Sequence, residues 1–342
     1  MSLSEVISEA AQALLRGELV AIPTETVYGL AADASNQQAV ANIYRTKGRP
    51  ADHPLIVHVA SLEFCLPWFR FDQAAITDKV VNTALRRAER FQMLAHAFWP
   101  GPLTLIVPRE LTAPEWAGAG QASIGLRIPS HPMALALLTE FHSLGGLGVA
   151  APSANRFGKV SPTSAAHVRS DLGTEAPLIL DGGECELGLE STIVDLTGDV
   201  PALLRPGSIT LDEISQCLDE VIALGPTQAS PQVSGSLPSH YAPQTPLRVL
   251  ASSALLSTAN EWIASGRNDF AVWALPSTLK LIPKNIQVIE AAQLAPDYAV
   301  RLYANLRRLD ELNVQCVLIE KMPDSSQWAA VNDRIKRASF SK

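Results

Sequence analysis

No apolar run in the sequence is long. The longest, such as "PLTLIVP" and "GLGVAAP", fall far short of the roughly 20 residues that cross a bilayer, so no membrane span is expected. The opening residues, MSLSEVISEAAQALLRGELV, lack a basic start and a cleavage site and carry acidic side chains. Neither a signal nor a transit peptide is therefore expected, and the location implied is cytoplasmic. The four cysteines (Cys65, Cys185, Cys217, Cys316) form no C-x-x-C pair, which excludes a zinc-finger spacing and a disulfide framework. They are expected to act as small buried hydrophobes. There is no H-E-x-x-H, no Walker A pattern, no G-x-S-x-G and no kinase signature. A basic excess is also missing: 27 Lys and Arg face 34 Asp and Glu, a net charge of −7. A grip on a long nucleic acid draws its affinity from neutralised phosphates, so little or weak direct binding of that kind is expected. Any basic site must be local and suited to a small polyanion.

What is present suits a two-domain globular chain. Of 342 residues, 47% are hydrophobic and 18% charged, enough apolar surface for two cores. Ser2-x-x-Glu5 is a capping box before apolar residues in helical spacing (Val6, Ile7, Ala10, Leu14, Leu15). Short β-like runs follow ("LVAIPT", "PLIVHV", "LTLIVP", "SIGLRIP", "LGVAAP", "PLILD", "STIVDL"), alternating with helical stretches. "NQQAVANIYRTKG" reads as a helix capped by Asn36 and ended by Gly48, and "ITDKVVNTALRRAERFQMLAHAF" and "HPMALALLTEF" as two more. Mixed strands and helices of this length predict an α/β or α+β first domain over 1–224. Residues 225–246 have the Pro, Ser and Gly density of a linker. Strand–helix alternation resumes over 247–342, which predicts a small Rossmann-like α/β domain with no dinucleotide fingerprint.

Chemistry-bearing residues gather at the ends of the apolar runs, where open α/β sheets place their ligands. In "PTETVYGLAAD", Thr24, Glu25, Thr26 and Tyr28 follow a strand, and Gly29 is expected to let the backbone turn; a plain polar turn would account for the same residues. "YRTKGRPADHPLIVHV" concentrates Arg45, Lys47 and Arg49 with His53 and His58 in an acidic protein. That group suits phosphates, although cations at a helix end also complement its dipole. Arg127 stands inside an apolar strand and needs a carboxylate, from the chain or from a substrate. "APSANRFGKVSPTSAAHV" has Ser161-Pro162-Thr163 as an apparent N-cap with Pro at the first helical position, which serves ordinary capping or an anion. "GLESTIVDL" and "LLRPGSI" bring Ser191, Thr192 and Arg205 to strand ends.

Taken in order, PTETVYGL, KGRP…HPLIVHV, WPGPLTLI, LRIPSHP, APSAN…SPT, GLESTIVDL, RPG and HYAPQTPL resemble the YrdC-type family, in its long two-domain threonylcarbamoyl-AMP synthase form. The resemblance implies a twisted mixed-sheet catalytic domain and a C-terminal Rossmann-like domain. It implies a reaction joining L-threonine, bicarbonate and ATP into threonylcarbamoyl-adenylate and pyrophosphate, with the product handed to a separate tRNA threonylcarbamoyl-transferase complex. By the same resemblance Lys47 and Arg49 hold the triphosphate and stabilise the transition state. His53, Ser123, Ser153, Asn155, Ser161 and Arg205 contact ATP, and His240 and Tyr241 are expected to join them as a lid. Thr26, His58, Arg127 and Ser191 hold threonine, with Arg127 on its carboxylate. Mg²⁺ is expected to ride on the nucleotide, with no dedicated carboxylate cage.

The chain departs from the family pattern in two places. Ser236, Leu237 and Ser239 stand where a Gly-Met and basic residues are usual, and Phe157 replaces a small polar residue. A linker lid over the nucleotide, with His240 and Tyr241 across the cleft mouth, is then expected to work by stacking and hydrogen bonding, not charge. Two other readings compete: a nucleotide- or RNA-binding module that lost its chemistry, and an enzyme of the same fold acting on another carbamoyl acceptor. Retention of Lys47, Arg49, Arg127 and Ser191 together argues against the first, and the lack of zinc-finger cysteines against the second.

Overall fold

The seven short apolar runs of the first domain, with three further strands, pair into one ten-stranded sheet. The computed structural model describes residues 2–70, 78–226, 230–235, 237 and 240–340. The expectations that touch residues 76–77, Ser236 and Ser239 lie outside them. The chain forms two units: Met1–Phe157, Pro162–Glu186 and Glu190–Ser236 make the first, and Gly158–Ser161, Leu187–Leu189 and Leu237–Lys342 the second.

In the first unit the strands are β1 (Val20–Ile22), β2 (Gly29–Asp33), β3 (Ile56–His58), β4 (Leu103–Pro108), β5 (Ser123–Arg127), β6 (Val149–Ala150), β7 (Leu178–Ile179), β8 (Thr192–Asp195), β9 (Ala202–Arg205) and β10 (Ala223–Leu224). Their order is β10-β9-β8-β4-β5-β3-β6-β2-β1-β7. The sheet is mixed: β3 runs parallel to β5 and antiparallel to β6, and β4 runs parallel to β8 and antiparallel to β5. Among the described residues its helices are α1 (Leu3–Leu15), α2 (Gln37–Lys47), α3 (Asp78–Phe98), α4 (Pro132–Ser143), α5 (Ala165–Leu172) and α6 (Leu211–Leu218). The Ser2–Glu5 capping box starts α1, and Asn36 caps α2, which stops at Gly48 in the left-handed conformation. One apolar cluster joins Ala10, Leu14, Leu137 and Phe141 of α1 and α4 to Val20 and Ile22. Another joins Val40, Ile43, Phe91 and Leu94 of α2 and α3 to Leu105, Val107 and Leu126.

Two local expectations are corrected. Gly29 does not turn the chain. It opens β2 in register with Ile22, and a Cβ there would stand 3.2 Å from the Ala151 Cβ, so the glycine allows a close strand approach. The reversal is made instead by 23–28, where Thr24 Oγ1 accepts from the N–H groups of Thr26 and Val27 and donates to Val27 O. The cap of α5 is Ser164, whose hydroxyl accepts from His167 N–H, not Ser161. Pro162 lies outside the helix and its carbonyl accepts from Tyr28 N–H.

The second unit carries β11 (Leu247–Leu250), β12 (Phe270–Ala274), β13 (Gln287–Glu290) and β14 (Cys316–Glu320), all parallel, in the order β11-β14-β12-β13. Its helices are α7 (Ser252–Ala264), α8 (Pro276–Leu279), α9 (Ala295–Glu311) and α10 (Ala329–Ala338). Leu255, Ala259, Phe270, Val272, Ala274 and Leu318 form one core. Trp273 points to the other face, as strand alternation requires, and stacks on Tyr298 with centroids 5.0 Å apart. No helix among the described residues is long and apolar enough to cross a membrane.

Candidate active site

The register of β3 on β5 sets His58 opposite Arg127. Both are buried. Arg127 Nη2 donates to Glu25 Oε1 at 2.5 Å and to Thr26 Oγ1 at 2.9 Å, while Nε donates to Gly101 O at 3.2 Å. The other carboxylate oxygen of Glu25 accepts from Ser130 N–H. The carboxylate that Arg127 reaches within the chain is thus Glu25, from the turn after β1. Arg127 Nη1 makes no hydrogen bond among the described residues and remains available for an anionic ligand. His58 Nδ1 lies 3.1 Å from Ile56 O, so it carries the proton and Nε2 keeps a lone pair.

A second group forms at the end of α2. Lys47, its last residue, is 2% exposed. Its Nζ donates to the backbone carbonyls of Ser153 and Asn155, the latter at 2.6 Å. The Asn155 amide donates to Arg156 O. Phe157 N–H donates to Lys47 O, which holds the Ser-Ala-Asn loop against the helix end.

Arg49 begins the third group. Its Nη2 donates to Pro54 O at 2.9 Å and to the Ser234 hydroxyl at 3.0 Å. Its guanidinium lies over the Phe157 ring at 6.0 Å, and His53 meets that ring edge-on at 5.3 Å. Arg205, at the end of β9, donates to Ser191 through Nε and Nη2 and to Ser234 O through Nη1. The Ser191 hydroxyl also shares a hydrogen bond with Thr104. Ser123, at the start of β5, lines a narrow gap with Pro54, Ile56 and Ser234.

Comparison with known proteins decides what these groups belong to. Residues 12–207 match the Sua5/YciO/YrdC model described as "Telomere recombination", and 209–339 match the model described as "Threonylcarbamoyl-AMP synthase, C-terminal domain". A threonylcarbamoyl-AMP synthase of Pyrococcus abyssi is 35% identical over 96% of this chain and 93% of its own. One from Bacillus subtilis is 36% identical over 97% of this chain and 92% of its own. The chain belongs to the threonylcarbamoyl-AMP synthase family. Among solved structures, P. abyssi Sua5 complexed with L-threonine superposes with a TM-score of 0.83 at 34% identity, over 97% of this chain and 94% of the other. A P. abyssi Sua5 variant with a consecutive His and Tyr both changed to Ala gives the same TM-score at 33% identity, over 97% of this chain and 92% of the other.

In this member of the threonylcarbamoyl-AMP synthase family, burial sets the charge states. Burial first, and then the Arg49 charge, hold the Lys47 ammonium well below its usual range. Burial, then Arg127, push His58 from 6.5 down to about 3, so its ring is neutral. His53 is lowered by burial and then Arg49. Glu25 is opposed by burial, but the Arg127 charge and hydrogen bond outweigh it and keep the carboxyl below its usual range.

The remaining predicted residues fall in the second unit. Ser161 is fully buried there. His240 and Tyr241 are also buried; Tyr241 takes a left-handed backbone (φ 60°), packs 5.5 Å from the Tyr303 ring and lies beneath Arg334 at 5.3 Å. Sequence reasoning left out Glu25 as the partner of Arg127, and Ser234 as a contact of Arg49 and Arg205. For Glu25 the polar cluster around Thr26 was a signal; for Ser234 the linker-like composition hid it. Cys65, Cys185 and Cys316 are buried and Cys217 half-buried, with the Cys65 and Cys185 thiols pushed up to about 12 by burial. Among the described residues no three His, Cys, Asp or Glu side chains come together as a metal set.

Proposed function

We propose that the first unit makes threonylcarbamoyl-adenylate from L-threonine, bicarbonate and ATP. The carrying observation is Lys47: a buried ammonium whose two partners are neutral carbonyls, with Arg49 two residues on. A buried cation whose hydrogen bonds go to neutral carbonyls is costly, and an incoming triphosphate supplies further compensating charge. Ser153, Asn155, His53, Ser123 and Arg205 border the same region and complete the ATP contacts. Arg127 offers Nη1 to the threonine carboxylate, with Thr26 and Ser191 beside it. His58, neutral with its lone pair on Nε2, accepts a hydrogen bond from the threonine hydroxyl or amine.

The chemistry follows from position. The amine nitrogen bonds to the bicarbonate carbon with loss of water, giving a carbamate. A carbamate oxygen then attacks the α-phosphorus, and the bond to the bridging oxygen breaks to release pyrophosphate. No covalent enzyme intermediate is needed, so alignment and charge neutralisation carry the rate. Among the described residues no three His, Cys, Asp or Glu side chains gather as a metal set, so Mg²⁺ arrives on the nucleotide and no step here runs through it. The setting is the cytoplasm, and the product passes to a separate transferase that handles tRNA, in keeping with a net charge of −7.

The test supplies ATP and bicarbonate with one amino acid at a time and follows pyrophosphate. Release with threonine is expected; the absence of any threonine-dependent release would sink the proposal.

A further inference from the structure

Residues 230–235 do not hang free between folded parts; they are fastened to the first unit at three successive positions. Gln121, in the turn before β5, faces the backbone of Gln232. Its Nε2 donates to Gln232 O at 3.3 Å, and its Oε1 accepts from Gln232 N–H at 3.0 Å. The side-chain amide thus does what a neighbouring strand would do, and its orientation is fixed because only one assignment satisfies both bonds. Gln121 is itself held, since its carbonyl accepts from Arg109 Nε and its N–H donates to Gly118 O. Val233 is 5% exposed and enters the apolar cluster of Ile106, Ile193, Ala202 and Leu204. Ser234 then meets both arginines: its hydroxyl accepts from Arg49 Nη2 and donates to Pro54 O, and its carbonyl accepts from Arg205 Nη1.

Arg49 and Arg205 come from distant elements, the turn after α2 and the end of β9, and a single linker residue ties them. A serine placed by its own backbone would hold them loosely. Here the two preceding residues are pinned, one by paired amide bonds and one by apolar burial, and neither contact involves a charge.

We propose that Gln121 and Val233 are positioning residues for ATP: by pinning the linker they place Ser234 so that Arg49 and Arg205 are aligned for the nucleotide. This rests on the ATP-binding role proposed above. It makes the linker a fixed wall of the nucleotide site at its first-unit end, and assigns that role to residues that do not touch the nucleotide. The segment has no basic side chain to grip phosphate itself, so the uncharged anchor supplies the alignment. Ordinary core packing by Val233 would stabilise the unit without discriminating between the two substrates. That difference separates the two roles.

The experiment measures ATP and threonine binding separately by calorimetry, and the KM for each, in Gln121→Ala, Val233→Ala and the double variant. Val233→Ile serves as the conservative control, and Gln121→Glu keeps one of the two amide bonds and all of the packing should the double variant fail to fold. The ATP dissociation constant is expected to rise about tenfold in the double variant, the equivalent of one charge-assisted hydrogen bond. Threonine binding is expected to stay within about twofold, and Val233→Ile and Gln121→Glu to fall between wild type and the double variant for ATP alone. Unchanged ATP binding in folded variants overturns the positioning role while leaving the proposed function intact. A parallel loss of ATP and threonine binding also overturns it, in favour of simple packing. Failure of the wild-type protein to bind ATP overturns both.

Discussion

Consider the replacement of Arg127 by Met, with and without Glu25→Gln. Arg127 and Glu25 are 4% and 2% exposed and 2.5 Å apart. Removing the guanidinium alone strands a buried carboxylate with backbone N–H groups, those of Ser130 and Glu25 itself, to hold it. Breaking such a pair costs about 3–5 kcal/mol, because the leftover charge must be protonated or hydrated. Exchanging both partners for neutral groups of similar volume removes that penalty, and the double variant is expected to recover to within about 1–2 kcal/mol of wild type. Threonine binding behaves differently. Arg127 Nη1 is the free edge offered to the substrate carboxylate, and a charge-assisted bond is worth about 1.5–3 kcal/mol, or roughly 10- to 150-fold in affinity. The double variant should therefore unfold in urea within about 1–2 kcal/mol of wild type and still bind threonine at least about tenfold more weakly by calorimetry. If it regains both stability and threonine affinity, Arg127 serves only its partner Glu25, and the substrate carboxylate is held elsewhere.

Other outcomes follow from the same geometry. Lys47→Ala and Arg49→Ala are each expected to lower turnover by about 100-fold or more while leaving threonine affinity within about threefold, read from steady-state rates and calorimetry. Wild-type turnover at saturating ATP in both variants would contradict their role. His58 is held neutral, with its titration moved from 6.5 to about 3. Between those values the unfolded chain binds the extra proton, so stability present above pH 6.5 is lost as pH falls, by about 1.4 kcal/mol per unit. Glu25 is also held below its usual range, so its own loss begins only under 4.5. Urea midpoints taken between pH 6.5 and 4.5 should therefore fall steeply in wild type and less in His58→Gln; equal slopes would show that the ring is not buried neutral.

Much of this was legible because local patterns carried it. The short β-branched runs became strands, Asn36 and Gly48 bounded their helix, and the second unit's alternation became a parallel sheet. An arginine inside "SIGLRIP" announced a buried partner, since a charge in an apolar strand cannot stand alone. The partner's identity was another matter. Glu25 and Arg127 are 102 residues apart, and no periodicity links them; only the sheet order sets the turn after β1 against the end of β5. Gly29 misled for a related reason. A glycine after polar residues usually marks a turn, but here the constraint is a neighbouring strand that lies far off in sequence. Ser161 looked like a cap because Pro follows it, yet Ser164 has the hydroxyl that reaches a helix N–H. Val233 was hidden by the turn-rich residues around it, its burial depending on an apolar cluster drawn from β4, β8 and β9.

The most direct measurement supplies ¹³C-labelled bicarbonate, ATP and threonine to the full-length protein and identifies the nucleotide product by mass spectrometry. The expected product is an adenylate carrying one labelled carbon and the mass of threonine, formed with pyrophosphate and absent when threonine is omitted. ATP hydrolysis with no labelled adenylate, or a labelled product independent of threonine, would contradict it.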